Sequence, residues 1–174
     1  MGEIKSTLDL VMEKTKHLTL SDEEKAEQQL AEAKKKIYGL VRKYQDGLTS
    51  KTYLEKELAV LRKTHTFNVD DILQQTLLDG LELGNKNGSL LELLRDICGV
   101  DVAHFERLFD DFLNQVEDAA GERAKTIKRN LAEKQSISGS AIVPNLEADH
   151  EWLAMLSQIK DRFHQILSRE KAAL

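Results

Sequence analysis

Proline, cysteine and tryptophan each occur once in these 174 residues, and aromatic residues make up 5% of them. Each scarcity removes a class of protein. A single cysteine, Cys98, rules out an internal disulfide, so the chain is not a stapled scaffold. One proline leaves little to break helices. No stretch approaches the roughly 18 uninterrupted apolar residues of a membrane span. The start, Met1-Gly2-Glu3-Ile4-Lys5, has no apolar signal-peptide core. A cytoplasmic protein with no membrane partner is expected.

Catalytic vocabulary is also missing. There is no Gly-x-Ser-x-Gly, no phosphate-cradling glycine loop and no His-Glu-x-x-His. Asn85-Lys86-Asn87-Gly88 has the texture of a calcium loop, but aligning Gly88 with the loop glycine puts Leu83 and Leu94 where the first and last carboxylates belong. It reads as a turn. Asp101-x-x-His104 and Glu147-x-x-His150 share the acid-x-x-His spacing of helical di-iron proteins. Both pairs open consecutive helices, whose starts in an antiparallel pair lie roughly 35 to 45 Å apart by helical rise. No catalytic residue, cofactor or metal ligand is assigned, and an enzyme is not expected. A metal or small-ligand bundle is left as a third reading. Cys98 shares a helical stripe with Leu91 and Leu94, so a buried, inert thiol is expected.

Charge is plentiful at 32% of residues, and it is uneven. Residues 1–67 carry 13 Lys/Arg against 11 Asp/Glu, residues 68–118 carry 3 against 12, and residues 119–174 carry 9 against 7. The acidic middle repels phosphate, so nucleic acid is not an expected partner.

What the chain has in abundance is helix pattern. Residues 3–16 set Ile4, Leu8, Val11, Met12 and Thr15 on one side of a short amphipathic helix. Ser21 and Glu24 form a capping box, with Asp22, Glu23 and Glu24 at the positive helix end. Ala26, Leu30, Ala33, Ile37, Leu40 and Tyr44 then recur at spacings of 4, 3, 4, 3 and 4, a heptad seam. Asp46-Gly47 ends that helix, and Thr49 or Ser50 caps the next, which carries Leu54, Leu58 and Leu61. The register also runs on through Gly47, so one continuous helix is the alternative to the favoured hairpin.

Asn68 opens a helix carrying Ile72, Leu73, Thr76, Leu77 and Leu81. After a turn at 84–88, Leu90, Leu91, Leu94, Ile97 and Cys98 mark a second short helix that stops at Gly99. Asp101 caps a long helix to about Gln135, with Phe105, Leu108, Phe109, Phe112, Leu113, Val116, Ala119 or Ala120, Ile127 and Leu131 on its apolar face. Gly121, among Ala119, Ala120 and Ala124, is read as the site of a close helix crossing. Asn145 caps the last helix, 146–173, in which Trp152, Leu156, Ile159, Phe163 and Ile166 share one face.

One stretch refuses to be helix. Ser136 to Pro144 contains Ile137, Gly139, Ile142, Val143 and Pro144, and its β-branched residues and proline favour extended backbone. Its apolar content sets it apart from a solvated linker. Either it docks on the chain's own helices as a staple, with Ile142 or Val143 folded against Trp152, or it meets a partner chain. Ile137, Gly139, Ile142, Val143, Pro144 and Trp152 are therefore the candidate interaction residues.

The opening Gly2-Glu3-Ile4-Lys5-Ser6-Thr7-Leu8 and the stretch Ile137-Ser138-Gly139-Ser140-Ala141-Ile142-Val143-Pro144-Asn145 together resemble a small family of uncharacterised bacterial proteins. The resemblance implies a bacterial, cytosolic, helical protein and carries over no functional residue. The expected fold is a single all-α domain over 1–174. It is an antiparallel helical bundle with coiled-coil-like long helices, a short two-helix acidic insertion over 68–99 and one extended apolar loop. The expected role is structural or protein-binding, as a homo-oligomer or with a protein partner. A regulatory module whose acidic segment binds a cationic partner is the second reading.

Overall fold

A computed structural model describes residues 21–174. The amphipathic segment 3–16 and the Gly2–Leu8 stretch lie outside the described residues. The chain is all-α, with helices α1 (Asp22–Gln45), α2 (Lys51–Thr64), α3 (Val69–Asp79), α4 (Gly88–Asp96), α5 (Ala103–Gln135) and α6 (His150–Ala172), and a 3₁₀ turn at Leu146–Ala148. By its internal contacts it divides into two compact units, the first ending at Thr76 and the second running from Leu77 to Leu174.

In the first unit the capping box forms as the sequence predicts. The Ser21 N–H donates to Glu24 Oε2 at 2.7 Å, and the Glu24 N–H donates to Ser21 Oγ at 3.1 Å. α1 ends in a hairpin. Gly47 takes φ +69°, a left-handed conformation that costs a Cβ-bearing residue about 1 kcal/mol or more. This lets the Leu48 N–H reach Lys43 O at 2.8 Å and the Gly47 N–H reach Tyr44 O at 3.0 Å, which closes the helix end. Ser50 then caps α2 by accepting from the Tyr53 N–H at 3.3 Å. Ala33, Ile37 and Leu40 of the seam are buried with Leu54, Leu58 and Leu61 of α2, and Lys36 reaches Glu57 across the hairpin at 2.9 Å. The seam is shorter than its pattern, because Ala26 is exposed and Leu30 and Tyr44 are half-buried. Asn68 accepts from the Asp70 N–H at 3.1 Å and starts α3.

In the second unit Asn87, buried to 6% exposure, closes the turn before α4. It accepts from the Glu82 N–H at 3.1 Å and donates to Glu82 O at 2.8 Å, which is the work of a turn residue rather than a metal ligand. α4 buries Leu90, Leu91, Leu93 and Leu94. Cys98 departs from its expected stripe. The helix stops at Asp96 and Gly99 turns left-handed at φ +69°, so Cys98 sits past the helix end and is half-buried.

Asp101 accepts from the Ala103 N–H at 3.0 Å at the head of α5. α5 and α6 form a second antiparallel hairpin: His104 lies 3.7 Å from Glu170, Arg162 donates to Gln115, and Arg123 meets Asp149. Phe105, Leu108, Phe109 and Phe112 of α5 and Trp152, Ile159, Phe163 and Leu167 of α6 are buried, and the Phe112 and Phe163 rings meet edge-on at 5.5 Å. Lys171 near the end of α6 donates to Leu81 O at 2.8 Å, and its burial pushes the ammonium pKa down against the charges of Asp79 and Glu82. α5 runs unbroken through Gly121. A Cβ built there meets nothing within 4 Å, so among the described residues this glycine is open and no helix crosses close to it.

Candidate interaction surface

The connection between α5 and α6 is anchored at both ends. At its start Ser136 takes φ 56°, the one positive φ among the described residues other than glycine, and the Ile137 N–H returns to Leu131 O at 3.2 Å. At its far end Asn145 accepts from the Glu147 N–H at 3.1 Å, so this residue caps the 3₁₀ turn. α6 starts four residues later than the sequence suggests, at His150. Asp149 is its cap and accepts from the Trp152 N–H at 2.7 Å.

Arg123 explains the displacement. Its Nε and Nη2 donate to the two oxygens of Asp149, each at 2.8 Å, and its Nη1 donates to Glu151. The guanidinium fork fixes Asp149 in extended backbone, at φ −91° and ψ 110°, and so sets the first residue of α6. The Arg123 and Asp149 side chains are only 14% and 19% exposed, against 75% for Glu151, so the first pair is the sheltered one. The Arg123 hydrogen bonds hold the Asp149 carboxyl below the usual carboxylate range, helped by the Trp152 N–H. Asp149 in turn raises the Arg123 pKa.

Between these anchors the chain follows the two-residue period of extended backbone. Ile142, Pro144 and Leu146 are half-buried, while Ala141, Val143 and Asn145 are exposed. The staple expectation is corrected for two of its residues: Val143 is 88% exposed and Ile137 47%, so neither is docked, whereas Ile142 and Pro144 are half-buried. Trp152 is buried at 7%, without Val143 being buried against it. The alternation gives the reason, because only every second side chain of an extended segment can face α5, and Val143 falls on the outer set. Gly139 takes φ +147° and accepts from the Ile142 N–H at 3.5 Å, which bends the segment at its middle.

A second concavity lies at the other end of the hairpin. A cavity of about 410 Å³ is lined by His104, Arg107, Asp111, Arg162, Phe163 and Glu170 among others. Its walls carry both charge signs, and Arg162 is committed to Gln115 and to the Phe163 ring, 5.0 Å from the centroid. Among the described residues no three His, Cys, Asp or Glu side chains converge as a metal-ligand set. His104 and His150 stand at opposite ends of the hairpin, each in the first turn of its own helix.

Sequence reasoning missed Arg123. No local signal marked it: helices ending at 135 and starting at 146 would set residue 123 opposite about residue 158, and only the longer connection of the structure brings it to Asp149. Known protein families gave no match to this chain, and neither did curated proteins or solved structures. No described helix is long and apolar enough to cross a membrane.

Proposed function

We propose that this chain is a non-enzymatic, cytoplasmic helical module that works by binding protein, as a homo-oligomer or with another protein. The α5–α6 hairpin and its connecting segment supply the contact. The observation that supports this most is an apolar segment held out to solvent by fixed ends. Ile137 and Val143 are 47% and 88% exposed between the Ser136 cap and the Arg123–Asp149 pair. A spacer would be polar and loosely tethered. Apolar side chains presented on an anchored frame gain from being covered by a second surface.

The test is a photo-crosslinking amino acid placed at Val143 in the full chain in cells, with a matched probe at exposed Lys56. A discrete protein adduct from position 143 and none from position 56 is expected. No adduct from position 143 or from Ile137 would overturn the reading. The second reading is a regulatory module whose acidic 68–118 region meets a cationic partner. It draws on the exposure of Asp110, Asp111, Glu117 and Asp118 along α5. Binding of that kind weakens as salt screens it.

A further inference from the structure

The C-terminal part of α5 carries a charge and apolar pattern that matches its own reverse. From Asp110 to Glu122 the helix has five acids and no base; from Arg123 to Lys134 it has five bases and one acid, Glu133. Along one side run Leu113, Val116, Ala120, Ala124, Ile127 and Leu131 at helical spacing. Leu113 is 55% exposed and the others are half-buried, although an apolar helix stripe facing a filled core is buried throughout. α6 leaves part of the stripe uncovered because its first residue stands at the level of Arg123.

We propose that two copies of this chain pair antiparallel along residues 110–134 of α5, about a two-fold axis near Glu122. This rests on the reading that the chain acts by binding protein, and it names the partner. An antiparallel register centred on Glu122 sets Leu113 of one copy against Leu131 of the other and Ala120 against Ala124. Asp110 then falls against Lys134, and Glu117 beside Lys128. Asp110, Glu117, Lys128 and Lys134 are all exposed, so each is available for this. A two-fold axis makes every pairing occur twice, and a parallel pair would set acid against acid and base against base. Open space at Gly121, with small Ala120 and Ala124 on either side, admits close approach near the axis. Leu131 is also the residue whose carbonyl anchors Ile137, so the register brings the second copy beside the exposed start of the connecting segment.

The test is sedimentation equilibrium on the full chain and on two one-sided charge reversals, Asp110→Lys with Glu117→Lys, and Lys128→Glu with Lys134→Glu. The wild-type chain is expected to dimerise. Its dissociation constant should rise about tenfold or more between 0.1 M and 1 M salt, as the Debye length falls from ~10 to ~3 Å. Each reversal alone should loosen the dimer by roughly tenfold or more, and mixing the two variants should restore a tight heterodimer. A wild-type monomer at roughly 200 µM in low salt, a constant within about twofold for both reversals, or a mixture that stays monomeric would each overturn the proposal.

Should a reversal unfold, spin labels decide the matter in a Cys98→Ser chain. A label at Gly121→Cys should give an intermolecular distance under about 20 Å. A label at Asn114→Cys, eight residues off the axis, should give about 24 Å of axial offset alone. Equal short distances at both sites would mean a parallel pair and refute the register. A monomer whose position 143 still crosslinks to another protein removes this inference and leaves the protein-binding reading standing.

Discussion

Val143→Asp tests what the connecting segment does inside the chain. Fully burying a valine side chain is worth about 1.5 to 3 kcal/mol. With 88% of the residue exposed, only about one eighth of that is realised, roughly 0.2 to 0.4 kcal/mol. Replacing Val143 by Asp should therefore change unfolding free energy by no more than about 0.5 kcal/mol. The neighbouring Ile142→Ala, at a half-buried position, should cost about 1 kcal/mol, and Trp152→Ala, at 7% exposure, about 3 to 5 kcal/mol. Urea unfolding of the three variants, followed by circular dichroism with a shared slope, measures all of these differences. A loss above about 1.5 kcal/mol for Val143→Asp would show that the side chain is docked, and the segment would then be a staple.

Asn87→Ala removes a buried side chain that bonds both the N–H and the O of Glu82, and should cost about 1 to 3 kcal/mol in the same urea titration. Gly47→Ala forces a Cβ into the left-handed region at the α1–α2 turn and should cost about 1 kcal/mol, seen as a melting temperature lower by about 2 to 4 °C. Asp149 has a folded pKa below its unfolded value, so its stabilising contribution is complete above pH ~4 and is lost as pH falls from there through the folded value. Amide exchange at residues 150–153, corrected for intrinsic rates, should quicken over that acid range, and Asp149→Asn should remove the added pH dependence. An Asp149→Asn profile identical to wild type would exclude the Arg123 pair as its cause.

Local signals were legible wherever a few neighbouring residues decide the outcome. Ser21 with Glu24, Ser50 and Asn68 each bind a backbone N–H within three residues, so their caps could be read directly from the chain, whereas Asp101 binds the Ala103 N–H from one residue before the cap position, which Val102 holds. Gly47 likewise chose the hairpin over a continuous helix, because the heptad register was indifferent and the backbone conformation was not. What failed to show was set at a distance. The start of α6 moved from 146 to 150 because Arg123, 26 residues upstream of Asp149, decides which acid caps it. Cys98 and Val143 were misplaced for another reason: hydrophobic pattern reports which side chains would gain from burial, and neither says whether the chain reaches a surface that can bury them. The candidate segment was recognisable from composition, but its exposure was not.

Unequal helix lengths explain why the second unit has apolar surface left to cover. α5 has 33 residues and α6 has 23, and their register is fixed by His104 near Glu170 at one end and Arg123 with Asp149 at the other. Residues 124–135 of α5 therefore extend about 18 Å beyond the start of α6. The returning chain must travel the same distance. An extended segment covers a helix stripe with half of its side chains, whereas a helix in that place would present a whole face. Ala124, Ile127 and Leu131 accordingly stay half-buried, while Val143 and Ile137 point away from them. Both exposed sets follow from one cause, the replacement of three turns of helix by a strap. A second α5 laid along the overhang would supply the missing helical face, with its acidic half over the four bases that gather there, Lys125, Lys128, Arg129 and Lys134.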